Sequence, residues 1–260
     1  MKRKLPLIFT LFCVVAIAFS QEKAEKTYVY TSADTKGYIS IKKTDLSDEN
    51  GAKTVTLQTT VNADFKNETM NFSLLTDNDS EKMVTPTKLV FDGTMDSNIK
   101  AVQFIGERIK KGNGNASYWA FKGDYKDEAV NDAKLKPYIK EKYSSTLRMP
   151  ERTIPSFNLW AVIPQLPFDR EGTFIFNSLD ETKLYVSKNQ TVNYLGKYEA
   201  NINGNKTELH KFVLQGKGMN PSYFWVDDNR ELVQVLLDNE YTFTLDKTAQ
   251  IPAAVALSYE

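Results

Sequence analysis

Polar and apolar residues alternate with a period of two along most of the chain after residue 27, the pattern of half-buried strands in an antiparallel sheet. In the stretch 53–61, Val55, Leu57 and Val61 fall on one face, and Thr54, Thr56 and Gln58 on the other. Met70, Phe72 and Leu74 repeat the pattern, and near the C-terminus Tyr241, Phe243 and Leu245 alternate with Thr242, Thr244 and Asp246. β-Branched and aromatic side chains are those a pleated surface accommodates best. The alternation predicts strands over 28–31, 38–42, 54–61, 69–75, 88–91 and 100–105. A five-strand meander is predicted over 190–201, 206–214, 223–226, 231–237 and 241–245. Asn203-Gly204 supplies the positive φ angles of a tight hairpin, and Asp227–Arg230 and Asp238-Asn239 divide the later strands. Asn50-Gly51 and Asp92-Gly93 are read as turns in the first half.

The middle of the chain breaks this pattern. Val130, Leu135, Tyr138, Ile139 and Tyr143 within 124–147 have helix-compatible spacing, interrupted by Pro137, and predict one or two short helices. Pro150, Pro155, Pro164 and Pro167, four of the nine prolines, then imply an extended crossing segment. That segment also holds Ile154, Phe157, Leu159, Trp160, Val162 and Ile163, too much apolar surface for a solvated linker, so it is expected to pack onto the sheet. The expected fold is mainly β, a strongly curved antiparallel sheet forming a half-open barrel. Residues 21–260 read as one domain in two halves, 27–123 and 171–247, joined by a 124–170 connection.

Residues 1–20 read as a secretory signal peptide. Lys2, Arg3 and Lys4 form its basic head, an apolar run extends from Leu5 to Phe19, and small residues at Ala18 and Ser20 suit cleavage before Gln21. A membrane anchor is disfavoured because the run is shorter than the roughly 20 residues a spanning helix needs. Cys13, the one cysteine, lies inside that run behind bulky Phe12, which disfavours lipidation, and it leaves with the leader. The mature chain then offers neither disulfide nor thiol chemistry. Of 33 Lys and Arg, 30 remain against 33 Asp and Glu, a net charge near −3 that favours neither nucleic acid nor anionic lipid surfaces. The expected location is the periplasm or the outer surface, and the mature chain carries no expected transmembrane segment.

Candidate chemistry is sparse. His210 is the one histidine, and no Gly-x-Ser-x-Gly elbow accompanies it, so a structural or solvent-facing role outweighs a triad. It shares a strand phase with Phe212 and Leu214, and either face of that strand could be the inner one. Zinc recruits several Cys or His ligands, and the acidic groups Asp45–Asp48–Glu49 and Asp77–Asp79–Glu81 lack EF-hand spacing, so no metal or other cofactor is expected. Asp227 and Asp228 are read as hairpin-turn residues before they are read as a catalytic pair. Lys110–Asn115 lacks the ending of a P-loop and reads as a hairpin tip. What remains is aromatic: three Trp, 13 Tyr and 15 Phe, which are core first and the lining of a cavity second. Phe174, Phe176, Tyr198, Phe212, Trp225 and Phe243 are the expected ligand-facing residues of the concave face.

The runs Leu166–Phe174, Gly196-Lys197-Tyr198-Glu199 and Phe224–Val233 resemble the TapB-like uncharacterised envelope proteins over about the last hundred residues. Those are similar in turn to the half-open β-barrel of the LolA and LppX carriers. The resemblance implies a curved sheet around a hydrophobic cavity closed by helices, with 124–147 as a lid, and it transfers no catalytic residue. The expected function is binding of a hydrophobic ligand, an acyl chain or lipid, without enzymatic activity. A solid-cored module that contacts an envelope protein and an unrecognised hydrolase using His210 or Asp228 are the alternatives.

Overall fold

The computed structural model describes residues 23–47, 53–66, 68–79, 86–95, 99–109, 118–125, 142–168, 172–249 and 257. The expected leader, the Asn50-Gly51 turn and the Lys110–Asn115 tip lie outside them. Among the described residues, fifteen strands form one curved, mainly antiparallel sheet that does not close into a barrel. Strand β1 (Lys23–Thr31) is central, and β2 (Lys36–Ser47), β3 (Lys53–Asp64), β4 (Thr69–Asp79), β5 (Lys88–Met95), β6 (Ile99–Ile109), β7 (Tyr118–Tyr125) and β8 (Lys142–Arg148) extend one arm in chain order. The other arm runs from β9 (Thr153–Pro155) at the far edge through β10 (Thr173–Asp180), β11 (Tyr185–Ile202), β12 (Asn205–Gln215), β13 (Ser222–Val226) and β14 (Leu232–Leu237) to β15 (Tyr241–Leu245). That last strand pairs with β1 through Tyr30↔Leu245 and Thr31↔Thr244. The two arms therefore meet at a narrow seam.

Every strand expected from the alternation is present, and the faces follow the pattern. In β3 the odd positions Val55, Leu57, Thr59, Val61 and Ala63 are all buried. Asn203 and Gly204 have φ of 51° and 85°, as a tight hairpin between β11 and β12 requires. Two expectations are corrected. Asp92 and Gly93 do not form a turn, because β5 continues through them and its pairing with β6 runs on to Met95↔Ile99. Glycine is needed at 93 for close approach instead: a Cβ there would lie 2.4 Å from the Cα of Phe72 on β4. The stretch 124–147 begins inside β7 and ends inside β8, so its two ends are strand; residues 126–141 lie outside the described part. Tyr143 pairs across to Gly123 rather than contributing to a helix face.

The short helix falls in the proline-rich segment. A 3-10 turn at Ser156–Asn158, helix α1 at Leu159–Val162 and a second 3-10 turn at Ile163–Gln165 succeed one another without a break. Pro155 sits just before the first turn and Pro164 in the opening positions of the second, where a missing N–H costs no helical bond. This ten-residue plug lies in the concavity and connects β9 to β10, which explains their parallel pairing. Phe157, Leu159, Trp160, Val162 and Ile163 are buried against the sheet, as their apolar content demands.

Candidate functional site

The plug bridges the seam between the arms. Trp160 meets Tyr30 of β1 edge-on at 5.0 Å and Phe243 of β15 at 5.7 Å, and Phe157 meets Phe72 of β4 at 5.7 Å. Buried polar contacts pin it. The Asn158 amide donates to the Thr76 hydroxyl at 2.8 Å. A Glu181 carboxyl oxygen accepts the Phe157 N–H at 3.0 Å. At the other end the Arg230 guanidinium donates to the carbonyls of Pro164 and Leu166 at 3.1 and 3.0 Å. The centre of the concave face is thus packed, and open space lies at the ends of the plug.

Two clefts flank it. The first, about 300 Å³, opens where the plug meets β1, β2 and the β13–β14 turn. Its floor is Tyr28, Tyr30, Ile41 and Trp160, and its rim carries Lys26, Lys43, Asp45 and Arg230. The second, about 240 Å³, lies against the start of the plug between Phe157, Leu214 and Phe224, with Glu181 and Asp238 among its walls. Burial, the largest influence, pushes the Glu181 carboxyl up to about 8 despite the backbone N–H groups it accepts from. Asp238 is raised in the same direction, also chiefly by burial. Glu181 is 2% exposed and ties down the first turn of the plug, so its chemistry is that of an anchor.

The residues expected on the concave face divide into three groups. Phe176, Phe212 and Phe243 are inside, as core. Phe174 packs against that core while remaining partly accessible. Tyr198 and Trp225 are corrected: they lie on the opposite face, where the Lys211 ammonium sits 5.3 Å from the ring of Tyr198, 4.5 Å from Tyr223 and 5.1 Å from Trp225. Phe224 pairs with Phe212 and faces inward, so its neighbour Trp225 must face out. In β11 the register slips between Tyr194 and Gly196, leaving Leu195 as an extra residue. That slip turns Lys197 inward and Tyr198 outward.

His210 faces inward with Phe212 and is 7% exposed. Its Nδ1 lies 2.7 Å from the Tyr194 hydroxyl, and its Nε2 lies 2.8 Å from Asp228 Oδ1. Lys197 Nζ is also 2.8 Å from that oxygen. The Lys197 ammonium, and after it His210, hold the Asp228 carboxyl below the usual carboxylate range. Phe168, just past the plug, stacks on the imidazole at 3.9 Å, and the Arg230 guanidinium covers the same phenylalanine at 4.5 Å. Asp228 does belong to a turn, as expected: Asp227 accepts the Glu231 N–H at 2.8 Å and closes the β13–β14 reversal. Tyr194, Lys197 and Phe168 were not singled out by the sequence. Among the described residues no three His, Cys, Asp or Glu side chains gather as a metal group, and no helix is long and apolar enough to cross a membrane.

No family model matches the chain, and no curated protein matches it in sequence. Among solved structures it is similar to a β-barrel-like protein of the domain of unknown function DUF1849 from Brucella abortus. The two share 9% identity with a TM-score of 0.38, over 87% of this chain and 96% of that one.

Proposed function

We propose that this protein is an exported envelope protein that binds a small amphipathic ligand, an acyl chain or lipid fragment with an anionic head, in the first cleft. The observation that carries this reading is an aromatic floor beneath a predominantly cationic rim. Tyr28, Tyr30 and Trp160 offer apolar surface to a chain, and Lys26, Lys43 and Arg230 offer charge to its head. Lys26 and Lys43 stand directly opposite one another on β1 and β2, an arrangement that repels unless an anion joins it. Asp45 pairs with Lys43 at 3.2 Å and offsets one of the three cations. The volume sits at the small end of ligand sites, which favours a short chain or the terminal part of a longer one. Export is supported by the basic head, the apolar run and the Ala18-Phe19-Ser20 triplet. In a bacterial host, mass spectrometry of the exported fraction should find Gln21 as the first residue; an intact N-terminus there would refute the cleavage.

A second reading, a solid-cored interaction module, is favoured by the plug that fills the middle of the concavity. Titration with decanoate, decanol and decylamine, followed by tryptophan fluorescence, separates the two. A ligand cleft predicts saturable binding in the order acid, alcohol, amine, and Lys26→Glu with Lys43→Glu should remove the preference for the acid. Absence of saturation with all three overturns the ligand cleft in favour of the solid-cored module.

A further inference from the structure

The row Asp228–His210–Tyr194 is not used by the ligand reading, and its geometry has a chemical consequence of its own. The ionised Asp228 carboxylate can only accept, so the Nε2 that lies 2.8 Å from it carries the imidazole proton. In the neutral imidazole Nδ1 is then bare and accepts the Tyr194 hydroxyl at 2.7 Å. Phe168 stacked at 3.9 Å fixes the ring plane. An acid thus sets the tautomer, a base is aimed at an oxygen, and the oxygen belongs to a half-buried side chain at the rim. This is the arrangement by which hydroxyl nucleophiles are activated on unrelated folds. Burial raises the Tyr194 phenol above its ordinary range, so in neutral solution it stays protonated and reacts through base assistance rather than as a standing phenolate.

We propose that Tyr194 is a covalent acceptor site for activated acyl esters, with His210 as its base and Asp228 as the positioning residue. The Tyr194 oxygen attacks the ester carbonyl while its proton passes to His210 Nδ1. The tetrahedral intermediate collapses, the bond to the leaving oxygen breaks, and the leaving alcohol departs with the proton held on Nδ1. The products are an aryl ester on Tyr194 and a free alcohol, with the imidazole returned to its starting tautomer. One acyl group is taken up per chain.

p-Nitrophenyl acetate added to the full-length protein tests this. Peptide mapping should place acetyl on Tyr194 ahead of Tyr185, which at 63% exposure is the benchmark for an accessible phenol. Tyr194→Phe removes the mapped site. His210→Ala slows acetylation of Tyr194 about a hundred-fold, the usual worth of a general base, and added imidazole restores it. Because imidazole and the ester form acetylimidazole, which acetylates any accessible phenol, the rescue is read as the gain at Tyr194 over that at the exposed Tyr185; a purely structural histidine gives no excess at Tyr194. Asp228→Asn changes an exposed residue and keeps the fold, and it should slow the same step by disturbing the tautomer. Acetylation of Tyr185 at or above the rate of Tyr194 overturns the proposal, as does an unchanged Tyr194 rate in Asp228→Asn.

Discussion

The two arms of the sheet are written in the same alternating pattern, yet they use their inner faces differently. In the arm from β1 to β8 the pairings β1–β2, β2–β3 and β3–β4 run without a register shift, and the one shift among its described strands is at the far end of β5. Its inner face is a row of rings: Phe72 stacks on Phe91 at 5.3 Å, Phe91 on Phe104 at 4.9 Å, and Phe104 meets Phe121 edge-on at 5.5 Å. In the arm from β9 to β15 the register shifts between Phe176 and Ser178, between Tyr194 and Gly196, and between Trp225 and Val226. An extra residue on one strand bends it and re-aims the side chains beyond the bend. Continuous register devotes an inner face to packing. Interrupted register brings Tyr194, Lys197 and His210 together at a rim where polar groups can reach both water and one another.

The sharpest way to break this contrast is to open the packed arm. Phe91→Ala removes an interior ring of the row and should cost about 3–5 kcal/mol, because its neighbours are held by strand pairing and cannot collapse into the gap. Urea denaturation measures it; a loss under about 1 kcal/mol would mean that the row is loose and the contrast unfounded.

A smaller effect, dependent on pH, belongs to the irregular arm. Glu181 binds its proton more tightly folded, near 8, than unfolded, near 4.5. The folded state therefore holds the extra proton between those values, and this contribution to stability falls as pH rises through that window and then levels off. Asp238, also raised, adds slope of the same sign. Glu181→Gln keeps an acceptor for the Phe157 N–H without a titrating proton. Its denaturation midpoint should vary less than wild type between about pH 5 and 8 and exceed it at about pH 8. Parallel curves for the two proteins would show that the Glu181 proton plays no part.

Strand existence and facing were legible in the sequence because burial of one face imposes a period of two, and that period survives in β3 without help from distant contacts. The packing of 154–163 was legible for the same reason, since Phe157, Leu159 and Trp160 have nowhere else to go. Its helical turns were not, because prolines at 155 and 164 suit an extended segment as well as the opening of a helix. The candidate site was half visible. His210 and Asp228 stand out in the sequence as titratable groups, and once Phe212 pairs with Phe224, His210 faces Val226 and Asp228 lies just past it. Tyr194 and Lys197 were hidden by the slip at Leu195, which no local composition announces. Tyr198 was misplaced by the same slip, and Trp225 because an alternating string does not state which of its phases is the inner one.

That this chain makes a long β meander with an apolar inner face is settled by its letters alone, since alternation, turn residues and β-branched or aromatic content are local and agree with one another. What covers that face, where the arms meet and which polar groups come into contact are settled in three dimensions. Those outcomes depend on register and on closure of a ten-residue plug across a seam held by two paired positions. They are fixed by packing between residues remote in the chain, Thr59 and Asn158 being 99 positions apart, and by bulges whose energetic cost is small enough to leave no mark on the string of letters.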